Sequence, residues 1–253
     1  MEGWPKYYVG LNDGALEVIY KTTDPKGIEQ ATQRLRGMGL EEGVHFAVKM
    51  PEEGRYGYVS VLKEGLAYAA WLSVRGKDEQ QRRLAAEFVK HILQRAENAG
   101  KDVYRKAEEI VKEGMSRGSL ALRGFEKEVE VDGRKYVVKV LGGGAEFDVG
   151  KTGKKLLRIR IAAEVGSTRR EYAITYGRYG SNNAVRGFAY VSEETDAERL
   201  AAVIEALTGV KPKIRRRSDG IIEIVCGRAH LDGFVRFAEL AEAIMKWLME
   251  TSR

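Results

Sequence analysis

Apolar residues change their spacing several times along the chain, and each change marks an element. Leu200, Val203, Ile204 and Leu207 recur at i, i+3, i+4 and i+7, the stripe of an amphipathic helix. Thr195 or Asp196 can cap its start, because a short side-chain oxygen accepts an orphan N–H there. Gly209 ends it. Lys211 to Arg217 reads as a strand, Ser218-Asp219-Gly220 as a turn, and Ile221 to Cys226 as a second strand of the same hairpin. From Leu231 onward, Phe234, Phe237, Ala238, Ala241, Ile244, Met245 and Leu248 predict one long amphipathic helix.

Residues 24–75 follow the same grammar. Asp24 before Pro25 is a helix start, and Ile28, Ala31, Leu35 and Met38 carry the stripe up to Gly39. Val44 to Met50 and Tyr58 to Leu62 are strands, and a helix follows from Glu64 through Trp71. The reading is a structural repeat, carried by spacing and not by residue identity.

The rest of the chain frames these two units. Lys6 to Leu11 and Leu16 to Lys21 predict a hairpin around Asn12-Asp13-Gly14. Helices are expected over Gln80 to Asn98 and Lys101 to Glu113. Gly114 to Gly118 then separates an N-terminal half, 1–115, from a C-terminal half, 119–253. Past that point the period is that of strands: Glu126 to Val131 and Lys135 to Leu141 around Asp132-Gly133, an interruption at Gly142-Gly143-Gly144, then Leu156 to Val165 and Arg170 to Tyr176 around Gly166-Ser167. Gly177 to Asn183 reads as a loop and Val185 to Val191 as an edge strand. The fold class expected is α+β, in two pseudo-repeated halves of antiparallel strands and helices.

Composition narrows the chemistry. The 253 residues are 43% hydrophobic and 32% charged, as in globular chains. One cysteine, Cys226, in an apolar strand, excludes an intrachain disulfide and a cysteine-based zinc cluster. His45, His91 and His230 have no ligand spacing. No apolar run has the length of a membrane span and no leader pattern opens the chain, so a reduced, cytoplasmic compartment is expected. Abundant Lys, Arg and Glu suits a thermophile. A net charge of +6 points to an anionic partner where the cations cluster.

They cluster on strands. Side chains at i and i+2 share a sheet face. Arg158 and Arg160 therefore share one. So do Arg170, Tyr172, Tyr176 and Arg178, and so do Lys211, Lys213, Arg215 and Arg217. Five cations in the seven residues 211–217 repel one another unless an anion sits on them. Such faces suit phosphate contacts and, through arginine, base edges. DNA is the expected partner, with RNA an alternative because tyrosine and arginine also suit single strands. Gly150-Lys151-Thr152 lacks the glycine spacing of a phosphate loop and reads as a turn. The candidate catalytic acids are Asp13, Glu146 and Asp148, and Asp13 with Glu146 is the candidate metal pair. Magnesium would be the ion if the chain cut DNA, since paired carboxylates hold the ions that clamp a phosphodiester. A third reading has the Leu231 to Met249 helix dock another protein.

Three stretches resemble the PaRep2b family of hyperthermophilic archaea: LEVIYKTTDP from Leu16, GLAYAAWLS from Gly65 and CGRAHLDGF from Cys226. The resemblance implies an archaeal, multicopy family and a start shortened relative to longer members, and it transfers no catalytic residue. A looser resemblance is to LAGLIDADG homing endonucleases, whose two halves form a saddle over DNA. Gly10 to Gly14 is similar to the tail of their signature, with Asp13 in the place of the metal-binding acid, but no apolar helix precedes it. That resemblance implies a sheet-mediated DNA binder, as a monomer of two pseudo-symmetric halves or a homodimer, with cleavage lapsed or altered.

Overall fold

The computed structural model describes residues 4–150 and 152–251, so Lys151 of the Gly-Lys-Thr turn lies outside the described residues. The fold is α+β. The chain divides into two compact units, one running to Ser116 and the other beginning at Arg117.

The first unit holds β1 (Tyr8–Asn12), β2 (Ala15–Thr22), α1 (Pro25–Gly37), β3 (Phe46–Lys49), β4 (Gly57–Val61), α2 (Lys63–Arg75), α3 (Glu79–Ala99) and α4 (Lys101–Ser116). Its antiparallel sheet runs β1-β2-β4-β3. Asp13 and Gly14 both have positive φ, the type I′ geometry whose twist matches the paired strands. The Asp24 carboxylate accepts the Lys26 N–H at 3.0 Å and starts α1 beside Pro25. Val9, Val18, Phe46 and Val61 line the inner face of the sheet, against Ile28, Leu35, Leu66, Phe88 and Ile92 of the helices.

The second unit holds β5 (Glu126–Val131), β6 (Arg134–Val149), β7 (Lys155–Val165), β8 (Thr168–Tyr179), β9 (Ala184–Val191), α5 (Glu194–Thr208), β10 (Lys213–Arg216), β11 (Ile222–Cys226), α6 (Arg228–Phe234) and α7 (Ala238–Thr251). The antiparallel sheet runs β10-β11-β9-β8-β7-β6-β5. Within it β8-β9-β11-β10 has the same strand order as β1-β2-β4-β3, and a helix follows the second strand in each.

Several expectations need correction. The triple glycine does not interrupt a strand. β6 passes through it with a bulge between Val140 and Gly142, which shifts the register and reverses which residues face inward. A Cβ on Gly143 would lie 2.4 Å from the Arg160 carbonyl and 2.8 Å from Leu122, so only glycine fits there without movement. Gly177, Arg178 and Tyr179 belong to β8 and not to a loop. β9 is an interior strand between β8 and β11. The last helix is two helices broken at Val235–Phe237, where the Gly118 N–H donates to the Val235 carbonyl and the Ala238 N–H to the Leu120 carbonyl.

Leu231, Phe234, Phe237, Ile244 and Leu248 are buried, so the stripe read as a docking face is core. Cys226 is buried as well, and burial pushes its thiol up to about 12. No helix among the described residues is long and apolar enough to cross a membrane.

His230 ties the start of α6 to pH. Its Nδ1 accepts the Gly227 N–H at 3.0 Å. Burial holds its pKa below the ordinary 6.5, against the opposing pull of its backbone hydrogen bonds. The unfolded chain therefore takes up a proton at higher pH than the folded one. Stability is full above the unfolded pKa and is lost as pH falls through the folded value. The second unit should melt earlier at about pH 5.5 than at about pH 7.5, and His230→Asn, which keeps an acceptor without a titrating ring, should flatten that difference. An unchanged pH slope in the variant would remove His230 from the account. His91 in the first unit is displaced in the same direction, chiefly by burial, so the comparison is between variant and parent.

Candidate nucleic-acid interface

The seven-stranded sheet has one covered face and one open face. α5 and α7 pack on one side, against β5, β6 and β7 among others. Alternation decides which side chains meet them. On β7, Leu157, Ile159, Ile161 and Ala163 are buried, and on β8, Tyr172, Ile174 and Tyr176. Their neighbours on the same strands point the other way.

The register then assembles the open face. One row crosses the sheet through Glu146, Arg158, Thr175, Phe188, Val225 and Lys213. Beside it, Tyr190, Glu223 and Arg215 form a second row. Arg186 stands opposite Gly177. Tyr179 reaches back along its own strand, because a Cβ on Gly177 would meet its ring at 2.9 Å. The three rings form a group: Tyr179 meets Phe188 edge-on at 5.2 Å, and Phe188 and Tyr190 are nearly parallel at 6.5 Å between centroids. Tyr190 is 56% exposed. Its hydroxyl is held above the ordinary value, first by partial burial and then by the Glu223 carboxylate beside it. The Lys154 ammonium lies 5.4 Å from the centre of the Tyr179 ring.

The ten cationic and aromatic candidates divide between the two faces. Arg158, Arg160, Lys213 and Arg215 are on the open face, with Lys211 and Arg217 flanking β10. Arg170, Tyr172, Tyr176 and Arg178 do share one face, but it is the covered one. Tyr172 and Tyr176 are buried there. Arg170 pairs with Asp196 of α5. The Arg178 guanidinium donates to Thr251 Oγ1 at 3.3 Å and lies 5.9 Å from the centre of the Trp247 ring. Burial, and Arg228 nearby, hold it below the ordinary value. These four build the core side of the sheet and present nothing to a ligand on the other side.

The self-repulsion expected of residues 211–217 is relieved within the chain. Arg215 pairs with Glu223 at 3.6 Å, Arg217 with Asp219 at 3.0 Å, Lys211 with Glu205 at 4.0 Å, and Arg216 with Glu194. Arg158 pairs with Asp148 at 2.9 Å and Arg160 with Glu146 at 2.7 Å. Lys213 and Arg186 make no ion pair among the described residues. The Glu223 side chain is largely buried, but the Arg158–Asp148 and Arg160–Glu146 pairs on the open face are solvent-exposed on both partners. Such pairs contribute at most about 1 kcal/mol, so a phosphate chain can compete for their arginines.

The acids are therefore placed differently from each other. Asp13 sits exposed at the β1–β2 turn of the first unit. Glu146 and Asp148 lie within strand β6, turned onto the open face by the bulge, and each holds an arginine. No group of three or more metal-ligating side chains occurs among the described residues.

Spacing along the sequence did not single out Arg186, Phe188 and Tyr190 of this face, and it placed Tyr179 in a loop. The i, i+2, i+4 spacing of Arg186, Phe188 and Tyr190 was the available signal. It went unused because β9 read as an edge strand and Tyr179 as part of a loop. On the same face Glu126 and Glu130 of β5 stand opposite Lys139 and Lys135 of β6, and Lys135 pairs with Glu128 at 3.1 Å, so the glutamates of this edge are met by lysines.

The model of one family, described as PaRep2b protein, matches residues 35–252. No curated protein and no solved structure matches the chain. The match spans most of the sequence, and the chain belongs to the PaRep2b family.

Proposed function

We propose that this member of the PaRep2b family is a nucleic-acid-binding protein that holds DNA against the open face of its seven-stranded sheet. The observation that carries the reading is the helix-free patch on β7 to β10, where Lys213, Arg186, Arg215, Arg158 and Arg160 surround Phe188, Tyr190 and Tyr179. The cations give sequence-independent affinity through phosphate contacts and counterion release.

The strand order common to the two sheets supports a reading of two pseudo-symmetric halves, akin to LAGLIDADG endonucleases in architecture. The magnesium-dependent nuclease reading has less behind it. Among the described residues no group of three or more metal-ligating side chains forms around Glu146 and Asp148, and each of the two already pairs with an arginine.

The test is a titration of labelled duplex DNA across a salt series, with and without magnesium, followed by a gel for cleavage. Binding should weaken steeply with salt and leave the DNA intact. Lys213→Ala and Arg186→Ala should each make the log–log salt slope shallower by about one. Cleavage in magnesium would favour the nuclease, and no binding at low salt would overturn the proposal.

A further inference from the structure

We infer that the strand form this face selects is single-stranded nucleic acid, with bases stacked on Tyr190, Phe188 and Tyr179 and phosphates held by Lys213, Arg186 and Lys154. The inference rests on the nucleic-acid reading above and adds the substrate class to it.

The geometry of the rings carries it. A soluble sheet face ordinarily meets water with polar or short side chains. Here a central part of the face holds three aromatic rings in series, Tyr179 against Phe188 and Phe188 beside Tyr190, and Tyr190 is more than half exposed. Phe188 and Tyr190 stand at i and i+2 on β9 with planes only 11° apart, so they offer two parallel platforms in succession along one strand. Gly177 leaves the space in which the Tyr179 ring lies back over its own strand and meets Phe188 edge-on.

The cations are spaced around these rings and not among them. Lys213 lies two strands from Phe188 in the same row, with Val225 between them. Arg186 precedes Phe188 by one side-chain step on the same face, and Lys154 sits against Tyr179. A chain with unstacked bases can place base planes on the rings and phosphates at the cations together. A duplex keeps its base faces inside its own stack and can use only the cations. Stacking is indifferent to sequence, because every base has a π-face, so the face is expected to bind with weak sequence preference.

The experiment compares four probes by fluorescence anisotropy on the full chain: oligothymidylate, oligouridylate, an abasic strand of the same length, and duplex DNA. Oligothymidylate should bind more tightly than the duplex, and the abasic strand should fall to about the duplex level. Tyr190→Ala and Phe188→Ala should each weaken oligothymidylate roughly tenfold, with the salt slope unchanged. Tyr190→Phe, which keeps the ring, should lose far less of the affinity for oligothymidylate than Tyr190→Ala. The nearest atoms that Gly177→Ala would meet are the far ends of the Tyr179 and Leu156 side chains and not backbone, so it displaces the ring at little cost in stability and should weaken the single strand several-fold. The oligouridylate arm decides between RNA and DNA as the source of the strand.

Equal binding of abasic and base-bearing strands would overturn the inference. So would a Tyr190→Ala chain that melts earlier yet binds oligothymidylate as the parent does. In either case salt-dependent duplex binding would leave the broader nucleic-acid reading standing. Failure of all four probes at low salt would end both.

Discussion

Gly114→Ala should destabilise the first unit by about 3 kcal/mol, although alanine is the better helix former. Gly114 lies inside α4, where the exchange would by itself be favourable by about 1 kcal/mol. Packing reverses the sign. A Cβ there would stand 2.0 Å from the Ala67 carbonyl oxygen and under 3 Å from the Ala67 carbonyl carbon and Cα, all backbone atoms of α2. No rotamer relieves that overlap, so the two helices must separate, and overpacking of this kind typically costs 1–3 kcal/mol and sometimes more. Thermal unfolding followed by circular dichroism should show the first unit melting roughly 10 °C earlier. A higher melting temperature would mean that α2 and α4 do not touch at this residue. Gly65 is held in the same way, its Cβ position lying 2.0 Å from the His45 carbonyl oxygen.

The second large effect concerns Trp247→Ala, expected to cost the second unit about 3–5 kcal/mol. Trp247 is the largest fully buried side chain. It belongs to α7, which packs on β6 and β7. Its Nε1–H donates to the Lys155 carbonyl at 3.1 Å, so the ring pins the start of β7 as well as filling the core. Truncation leaves a cavity, an orphaned carbonyl, and an Arg178 guanidinium without its ring. Trp247→Phe keeps most of the apolar volume and should lose less. Chemical denaturation should show the second unit unfolding at lower denaturant in the alanine variant and at an intermediate level in the phenylalanine variant. The phenylalanine variant should still bind nucleic acid, because Trp247 is on the covered side of the sheet and the proposed ligand on the other. Equal stability of parent and alanine variant would show that the ring is not a core anchor.

Local signals were sufficient for the elements that local physics determines. The 3.6-residue stripes of Ile28, Ala31 and Leu35, and of Leu200, Val203 and Leu207, place α1 and α5, because a helix must turn one apolar face inward whatever it packs against. Asp13-Gly14 and Asp132-Gly133 place two hairpins, because positive φ at consecutive residues is tolerated by few other pairs.

The sequence by itself determined which side chains share a face, and only the tertiary structure decided which face is inside. Arg170, Tyr172, Tyr176 and Arg178 share parity on β8, as their spacing required, but α5 and α7 cover that side, and the face proposed for a ligand has the opposite parity. The bulge in β6 reversed parity mid-strand and brought the candidate catalytic acids Glu146 and Asp148 into ion pairs with Arg160 and Arg158. Pairing of β9 between β8 and β11 moved Phe188 and Tyr190 from an apparent edge to the middle of the face. The physical reason is common to all three. A strand's alternation is intrinsic to its backbone, whereas its neighbours, its register and its covering layer are set by parts of the chain tens of residues away.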